Sequence, residues 1–236
     1  MIGMFKKKPI LSYEPFLKHY QNSIVPAKSL IPEWYKKIPQ WHDNEMFNKQ
    51  KGFTPTVKQC LPFLDSLILG YLITLPYDIF VKNDDGVPLI TWTEGVKNPP
   101  RSRPIIAHEK IVPAGHSSLE FTWNYCVSYV VPKGYSILFT HPINRYDLPF
   151  TTMSGVIDGD MTMSAHGNVP FYIKQNFEGI IEQGTPIAQL IPFRQENWKS
   201  VKTKGLCEVG DMNNSASTAL IKGWYKKTFW TRKKYD

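Results

Sequence analysis

A carboxylate at the end of a short apolar run is the first residue in this chain equipped for catalysis. Asp158 closes the run Gly155-Val156-Ile157 and is followed by Gly159 and Asp160. At a strand end such a group can orient and activate water for attack on phosphorus or carbon. The same residues also suit a turn in which the aspartate bonds its own backbone, and both readings stand. Arg145 offers a second chemistry, because a guanidinium meets a phosphate through two parallel hydrogen bonds. An ion pair with Asp147 is its competing use. His141 and Asp160 complete the candidate ligand-binding set around Arg145. Arg101 and Arg103 sit in a polar, Pro-rich stretch (94–104) and read more simply as surface charge.

Histidines allow a different chemistry. His108, His116, His141 and His166, with Glu120, Asp147, Asp158 or Asp160, could supply a facial site for iron or another divalent ion, as in a metal-dependent oxygenase on a double-stranded β-helix. His116 and Glu120 are four apart, which places them on one face of a strand. No His-x-His or His-x-Asp pair occurs, and scattered histidines are ordinarily surface or hydrogen-bonded residues, so no metal ligand is assigned. Cys60, Cys126 and Cys207 are odd in number and widely spaced, which argues against a disulfide framework or zinc knuckle and for a reducing compartment. Cys126 lies in the alternating run 121–130 and reads as a buried, inert thiol.

The elements that must position these residues are mostly short strands. The chain has 236 residues, 42% hydrophobic and 14% aromatic, enough for a packed core. Residues 1–55 read as an arm of prolines and scattered aromatics that permits only short helical turns. A single β-rich domain is expected over 56–199, opening with a helix over about 56–70 whose apolar residues recur at helical spacing. A strand over 71–81, the turn Asn83-Asp84-Asp85-Gly86 and a returning strand over 87–92 make a hairpin. Short strands follow at about 105–112, 119–131, 135–140, 153–157, 169–174, 179–181 and 186–193, each bounded by Gly, Pro, Asn or Asp. Residues 200–219 read as a loop or linker, leading into a basic, aromatic tail. The result is a mainly β chain with one helix, an arm and a tail.

The formal charge is +8 and the pI about 9.2, which favours a nucleic acid, a phosphate-bearing ligand or an anionic surface as partner, or serves solubility alone. In the tail, lysines interleave with Trp224, Tyr225, Phe229 and Trp230, as a stacking surface for nucleic acid would require. Aromatics docked on the protein's own body, with lysines reaching water, is the simpler reading. Trp34-Tyr35-Lys36-Lys37 recurs as Trp224-Tyr225-Lys226-Lys227, too short an echo to call a repeat. The N-terminal lysines are followed by no apolar signal-peptide core. The most apolar stretch, 60–81, is broken by Pro62, Asp65, Gly70, Pro76 and Asp78, so it reads as core and not as a membrane span.

Three pieces together resemble the dUTPase and dCTP deaminase superfamily, whose fold is called a β-clip. Val131-Pro132-Lys133-Gly134-Tyr135 resembles the segment leading into the phosphate-binding strand. Gly155-Val156-Ile157-Asp158 resembles the segment whose aspartate holds the sugar hydroxyl and the attacking water. Gly184-Thr185-Pro186-Ile187-Ala188-Gln189-Leu190-Ile191 resembles the Gly-x-x-Ile-Ala-Gln-Leu motif, which implies that Gln189 lies near phosphates. The likeness covers roughly a quarter of the chain. The family's Arg-Ser pair is reduced to Arg145, the Tyr-Arg-Gly after the aspartate is replaced by Gly159-Asp160-Met161, and the glycine-rich lid is absent, so fold and site are separate expectations. Through Phe63-Leu64-Asp65-Ser66, His141-Pro142-Ile143-Asn144-Arg145 and Pro186-Ile187-Ala188-Gln189-Leu190-Ile191-Pro192-Phe193, the whole chain also resembles uncharacterised proteins of tailed phages, notably marine ones, which implies the host cytoplasm or the virion as its location.

From these residues we expect a β-clip-like barrel or sandwich that binds, and in turnover hydrolyses, a nucleotide or other phosphate-bearing ligand near Arg145, Asp158 and Gln189, with Mg2+ arriving with the nucleotide. A non-enzymatic virion or assembly protein and the metal-dependent oxygenase are the alternatives. The strand over 184–193 is apolar on both faces, so it needs two covers. The resemblance implies that a sister subunit supplies one, in a homo-oligomer and most simply a trimer. The chain's own N-terminal helix is the other candidate.

Overall fold

A computed structural model describes residues 8–15, 23–43, 53–106, 110–125, 127–159, 167–219 and 224–236. Asp160, His108, His166 and Cys126, singled out above, lie outside the described residues. In chain order the elements are β1 (Ser12–Pro15), β2 (Ile24–Pro26), α1 (Glu33–Lys37), β3 (Trp41–Asp43), β4 (Phe53–Pro55), α2 (Leu61–Ile68), β5 (Tyr71–Thr74), β6 (Ile79–Asp84), β7 (Val87–Trp92) and β8 (Arg101–Ile106). They continue as β9 (His116–Tyr125), β10 (Val127–Val130), β11 (Tyr135–Thr140), β12 (Phe150–Thr152), β13 (Gly155–Asp158), β14 (Gly167–Lys174), β15 (Gly179–Ile181), β16 (Pro186–Arg194), α3 (Leu206–Ala219) and α4 (Trp224–Thr228).

The expected mainly β architecture is what the chain forms, in antiparallel sheets that do not close into a barrel among the described residues. Between 105 and 193 every described element is a strand. The strands over 135–140 and 179–181 fall on the expected residues, while β8 begins inside the stretch read as a loop.

Two compact units divide the chain. The first holds residues 1–30, 67–195 and 235. Its sheets are ordered β13-β11-β16-β5-β2, β12-β14-β9-β8, β15-β6-β7 and the pair β1-β10. They share one apolar core, in which Ile73, Ile137 and Leu190 of the five-stranded sheet meet Phe121, Trp123, Phe150 and Phe171 of the four-stranded sheet. Trp123 and Phe171 stack with centroids 3.5 Å apart. The hairpin β6–β7 turns at Asp85 and Gly86, both at positive φ (47° and 86°), the conformation that Asp-Gly favours and that matches strand twist.

Prolines explain where the sequence reading ran elements together. The strand expected over 71–81 is cut into β5 and β6 by a loop holding Pro76, which has no N–H for a ladder. The helix expected over 56–70 starts as a 3-10 turn (Val57–Gln59) capped by the Thr56 hydroxyl, then restarts as α2 around Pro62, which is tolerated only in a first turn. Gly70 ends it at φ 69°, where a Cβ would overlap the Leu190 carbonyl oxygen. The chain then turns directly onto β16.

That contact bears on the doubly apolar strand. Ile187, Leu190 and Ile191 are 3%, 0% and 8% exposed within a single chain. Both faces of β16 are therefore already covered, and this strand does not call for a sister subunit.

The second unit holds residues 31–66, 196–234 and 236. Tyr35 of α1 is buried, stacks on Phe63 of α2 at 5.8 Å and carries the Lys58 ammonium 4.3 Å above its ring. Residues 206–219, read as linker, form α3. Gly205 at φ 82° admits the chain, and Glu208 in the first turn suits the helix dipole. The Trp230 indole donates to the Asp65 carboxylate at 2.9 Å, with Lys233 3.6 Å from the same group. No helix among the described residues is long and apolar enough to cross a membrane.

Candidate functional site

Asp158 ends the edge strand β13 opposite Ser136 of β11. The Ser136 hydroxyl donates to Asp158 Oδ1 at 2.9 Å, and the Gln195 amide donates to Ser136 Oγ at 2.9 Å and to Asp158 Oδ1 at 3.3 Å. Ser136 is buried whereas Asp158 and Gln195 are exposed. One carboxylate oxygen is thus fixed from beneath, and Oδ2 takes no hydrogen bond from the described residues. Two backbone features hold the group. Gly159 donates to the Tyr135 carbonyl at 3.0 Å, and a Cβ at 159 would overlap the Val131 side chain and crowd that same carbonyl. The turn 132–135, closed by Tyr135 N–H on the Pro132 carbonyl with Gly134 at φ 83°, is tied to Gln195 N–H through the Gly134 carbonyl. No described backbone N–H of its own turn reaches the carboxylate, and Asp160, the residue a turn aspartate would bond, lies outside the described residues.

Ser136 and Gln195 were missed in the sequence. Period 2 puts Ser136 on the face opposite the core residues Ile137 and Phe139, so its burial was not legible. A serine inside an otherwise apolar strand was the available signal. Gln195 carried none, because its reach depends on the register of β16 against β11.

The remaining candidates gather elsewhere. Gln189 pairs with Thr140 at the far end of β11, four residues from Ser136, or about 14 Å along the strand. It is 1% exposed. Its Oε1 accepts from Ile143 N–H at 2.8 Å and its Nε2 donates to the Leu69 carbonyl at 2.6 Å. Arg145 grips Asp147 with both prongs, Nε to Oδ1 at 3.0 Å and Nη2 to Oδ2 at 2.9 Å. His141 accepts from Thr152 N–H on Nδ1 at 3.3 Å, which leaves Nε2–H to donate to the Arg145 carbonyl at 3.2 Å. Burial pushes the His141 pKa below the ordinary histidine value; the Arg145 charge adds to this, while the hydrogen bond to the Arg145 carbonyl opposes it. So Arg145, His141 and Gln189 are brought together around the turn 141–148, and Asp158 stands apart from them within one chain.

Thr152 ties this cluster to both large sheets. Its hydroxyl accepts from the Trp123 indole at 3.0 Å and donates to the Ile187 carbonyl at 2.6 Å. The pair considered for a metal is engaged differently. Glu120 receives Arg103 at 2.8 Å on one oxygen and the Tyr172 hydroxyl at 3.0 Å on the other, while His116 meets Thr151 at 3.0 Å. Burial and the Glu120 carboxylate push the Tyr172 hydroxyl up to about 12. Among the described residues, no three His, Cys, Asp or Glu side chains converge as a metal site would require.

No family model and no curated protein matches the sequence. Among solved structures, the chain is similar to the dUTPase of Staphylococcus bacteriophage 80alpha and to the dUTPase of phage phi11 of S. aureus, each solved as a point mutant. Each is 11% identical over 83% of this chain, with 96% and 97% of those chains covered and a TM-score of 0.33. At that score the likeness carries no argument about function, which rests on the geometry above.

Proposed function

We propose that this protein binds a phosphate-bearing ligand, a nucleotide in particular, at the open end of β11 and β13 where Asp158 projects. The observation that carries the reading is the exposed carboxylate itself, with Oδ1 fixed by Ser136 and Gln195 and Oδ2 taking no hydrogen bond from the described residues. A group held this way suits a sugar hydroxyl or a divalent ion. One carboxylate is too few to retain Mg2+ alone, but it fits Mg2+ delivered with nucleotide phosphates, the usual mode for that ion. Lys133, on the turn leading into β11, and Arg194, opposite Tyr135 on β16, put positive charge on the strand ends that adjoin Asp158. In turnover Asp158 would orient the attacking water. Arg145, His141 and Gln189 enter the proposal by holding the turn 141–148 against β16.

A second reading, a non-enzymatic assembly protein, is favoured by one observation. Phe80, Leu89, Val87 and Ile180 are 39%, 50%, 46% and 52% exposed. Register puts them on one face of the sheet β15-β6-β7, an apolar row that self-association, as a trimer or otherwise, would cover. A thermal-shift panel of nucleoside mono-, di- and triphosphates, with and without Mg2+, tests the primary reading. A ligand-specific rise in melting temperature that Asp158→Asn removes is the expected result. A flat panel overturns it and leaves the assembly reading.

A further inference from the structure

We propose that the C-terminal segment of the second unit is a binding surface for single-stranded nucleic acid, with bases stacking on Tyr225 and Phe229. The segment 196–234 carries nine Lys and Arg against three Asp and Glu, a local excess suited to a polyanion. Docking on the protein's own body accounts for Trp230 and Lys233, which meet Asp65. It does not account for Tyr225 and Phe229, which are 45% and 53% exposed. They lie four apart with ring centroids 6.3 Å apart and planes at 39°, so they share one side of the helical turn.

The short echo between arm and tail offers a local comparison. Trp34-Tyr35-Lys36-Lys37 and Trp224-Tyr225-Lys226-Lys227 both form single helical turns, α1 and α4. In the first, Tyr35 is 3% exposed beneath a stacked ring, Phe63, at 22° between planes. Its counterpart Tyr225 has only the tilted, exposed Phe229 ring beside it among the described residues and stays 45% exposed. A planar, electron-rich group flanked by negative charge would complete the second copy as Phe63 completes the first, and a nucleobase with its phosphate is such a group. An anionic lipid surface fits less well. Its headgroups would meet the lysines but present no planar ring for Tyr225 and Phe229 to stack on, whereas every nucleotide does. The stacking is sequence-tolerant, because every base presents a π-face.

The test is fluorescence anisotropy of the full chain with a labelled oligothymidylate of about twenty nucleotides, over a salt series, beside sedimentation with phosphatidylserine-containing vesicles. Binding is expected to weaken with salt at a log–log slope of roughly −2, from three phosphates met by Lys227, Arg232 and Lys234. Tyr225→Ala with Phe229→Ala should weaken it about ten-fold or more while leaving circular dichroism and melting unchanged, since both rings are exposed. Lys227→Gln with Lys234→Gln should flatten the salt slope by about 1.4. No oligonucleotide binding at low salt, binding indifferent to the aromatic pair, or binding to vesicles alone would each overturn the proposal.

Discussion

Replacing Gln189 with Met isolates the role of a side chain whose amide is fully engaged. Met conserves length and volume but neither donates nor accepts a strong hydrogen bond. Two backbone groups would then lose their partner, the Ile143 N–H and the Leu69 carbonyl. Leaving a buried polar group unsatisfied costs about 1–3 kcal/mol. Ile143 and Leu69 are half-buried, so water recovers part of this, and about 2–4 kcal/mol is expected in total. For a chain of this size that lowers the melting temperature by about 4–16 °C. Urea unfolding followed by circular dichroism, with the denaturant slope unchanged, measures it. A loss below about 0.5 kcal/mol, the range of ordinary surface substitutions, would show that Gln189 does not hold the turn 141–148, and the argument built on its two bonds would fail.

Other substitutions probe the same framework. Thr152→Val removes the hydroxyl that joins Trp123 to the Ile187 carbonyl, and should destabilise by about 2–5 kcal/mol with a change in tryptophan fluorescence; equal stability would refute the link. Gly159→Ala should shift the strand end and weaken ligand binding at Asp158 by at least about ten-fold, because the added Cβ meets Val131 and the Tyr135 carbonyl; unchanged affinity would remove Gly159 from the site's support. His141 is held neutral and its pKa is lowered by burial. The unfolded chain therefore binds the extra proton first, so stability should be lost as the pH falls below about 6.5. His141→Gln should remove that component, and an identical pH profile in wild type and variant would contradict the assignment.

The fold was readable where local chemistry and tertiary environment agree. Asp85-Gly86 forces the β6–β7 turn whatever lies around it, and the alternation of Ile79, Phe80 and Val81 matches their burial. It was unreadable where one residue overrode a pattern, as Pro76 cut a strand that hydrophobicity alone made continuous. The helix α3 was hidden by its composition, since Asn213, Asn214 and Ser215 are poor helix formers. The site was partly legible. The position of Asp158 at a strand end and its following glycine could be read from residue types. That Ser136 and Gln195 fix it, and that Arg145 turns on Asp147 instead of outward, depend on register and loop course. The self-association argument failed at β16 for a related reason. An apolar strand with two covers does not reveal which elements supply them, and here Gly70 brings the chain itself against Leu190.

The central claim is that Asp158 holds a phosphate-bearing ligand, and calorimetric titration with nucleoside triphosphates and Mg2+ tests it most directly. Wild-type protein should bind at least one nucleotide. Asp158→Asn should keep the fold and melting temperature while losing about 1.5–3 kcal/mol of binding, the scale of a hydrogen bond to a charged group, and turnover should vanish because Asn is a far poorer base. Equal affinity in wild type and variant, or no binding of any nucleotide by the wild type, would contradict it.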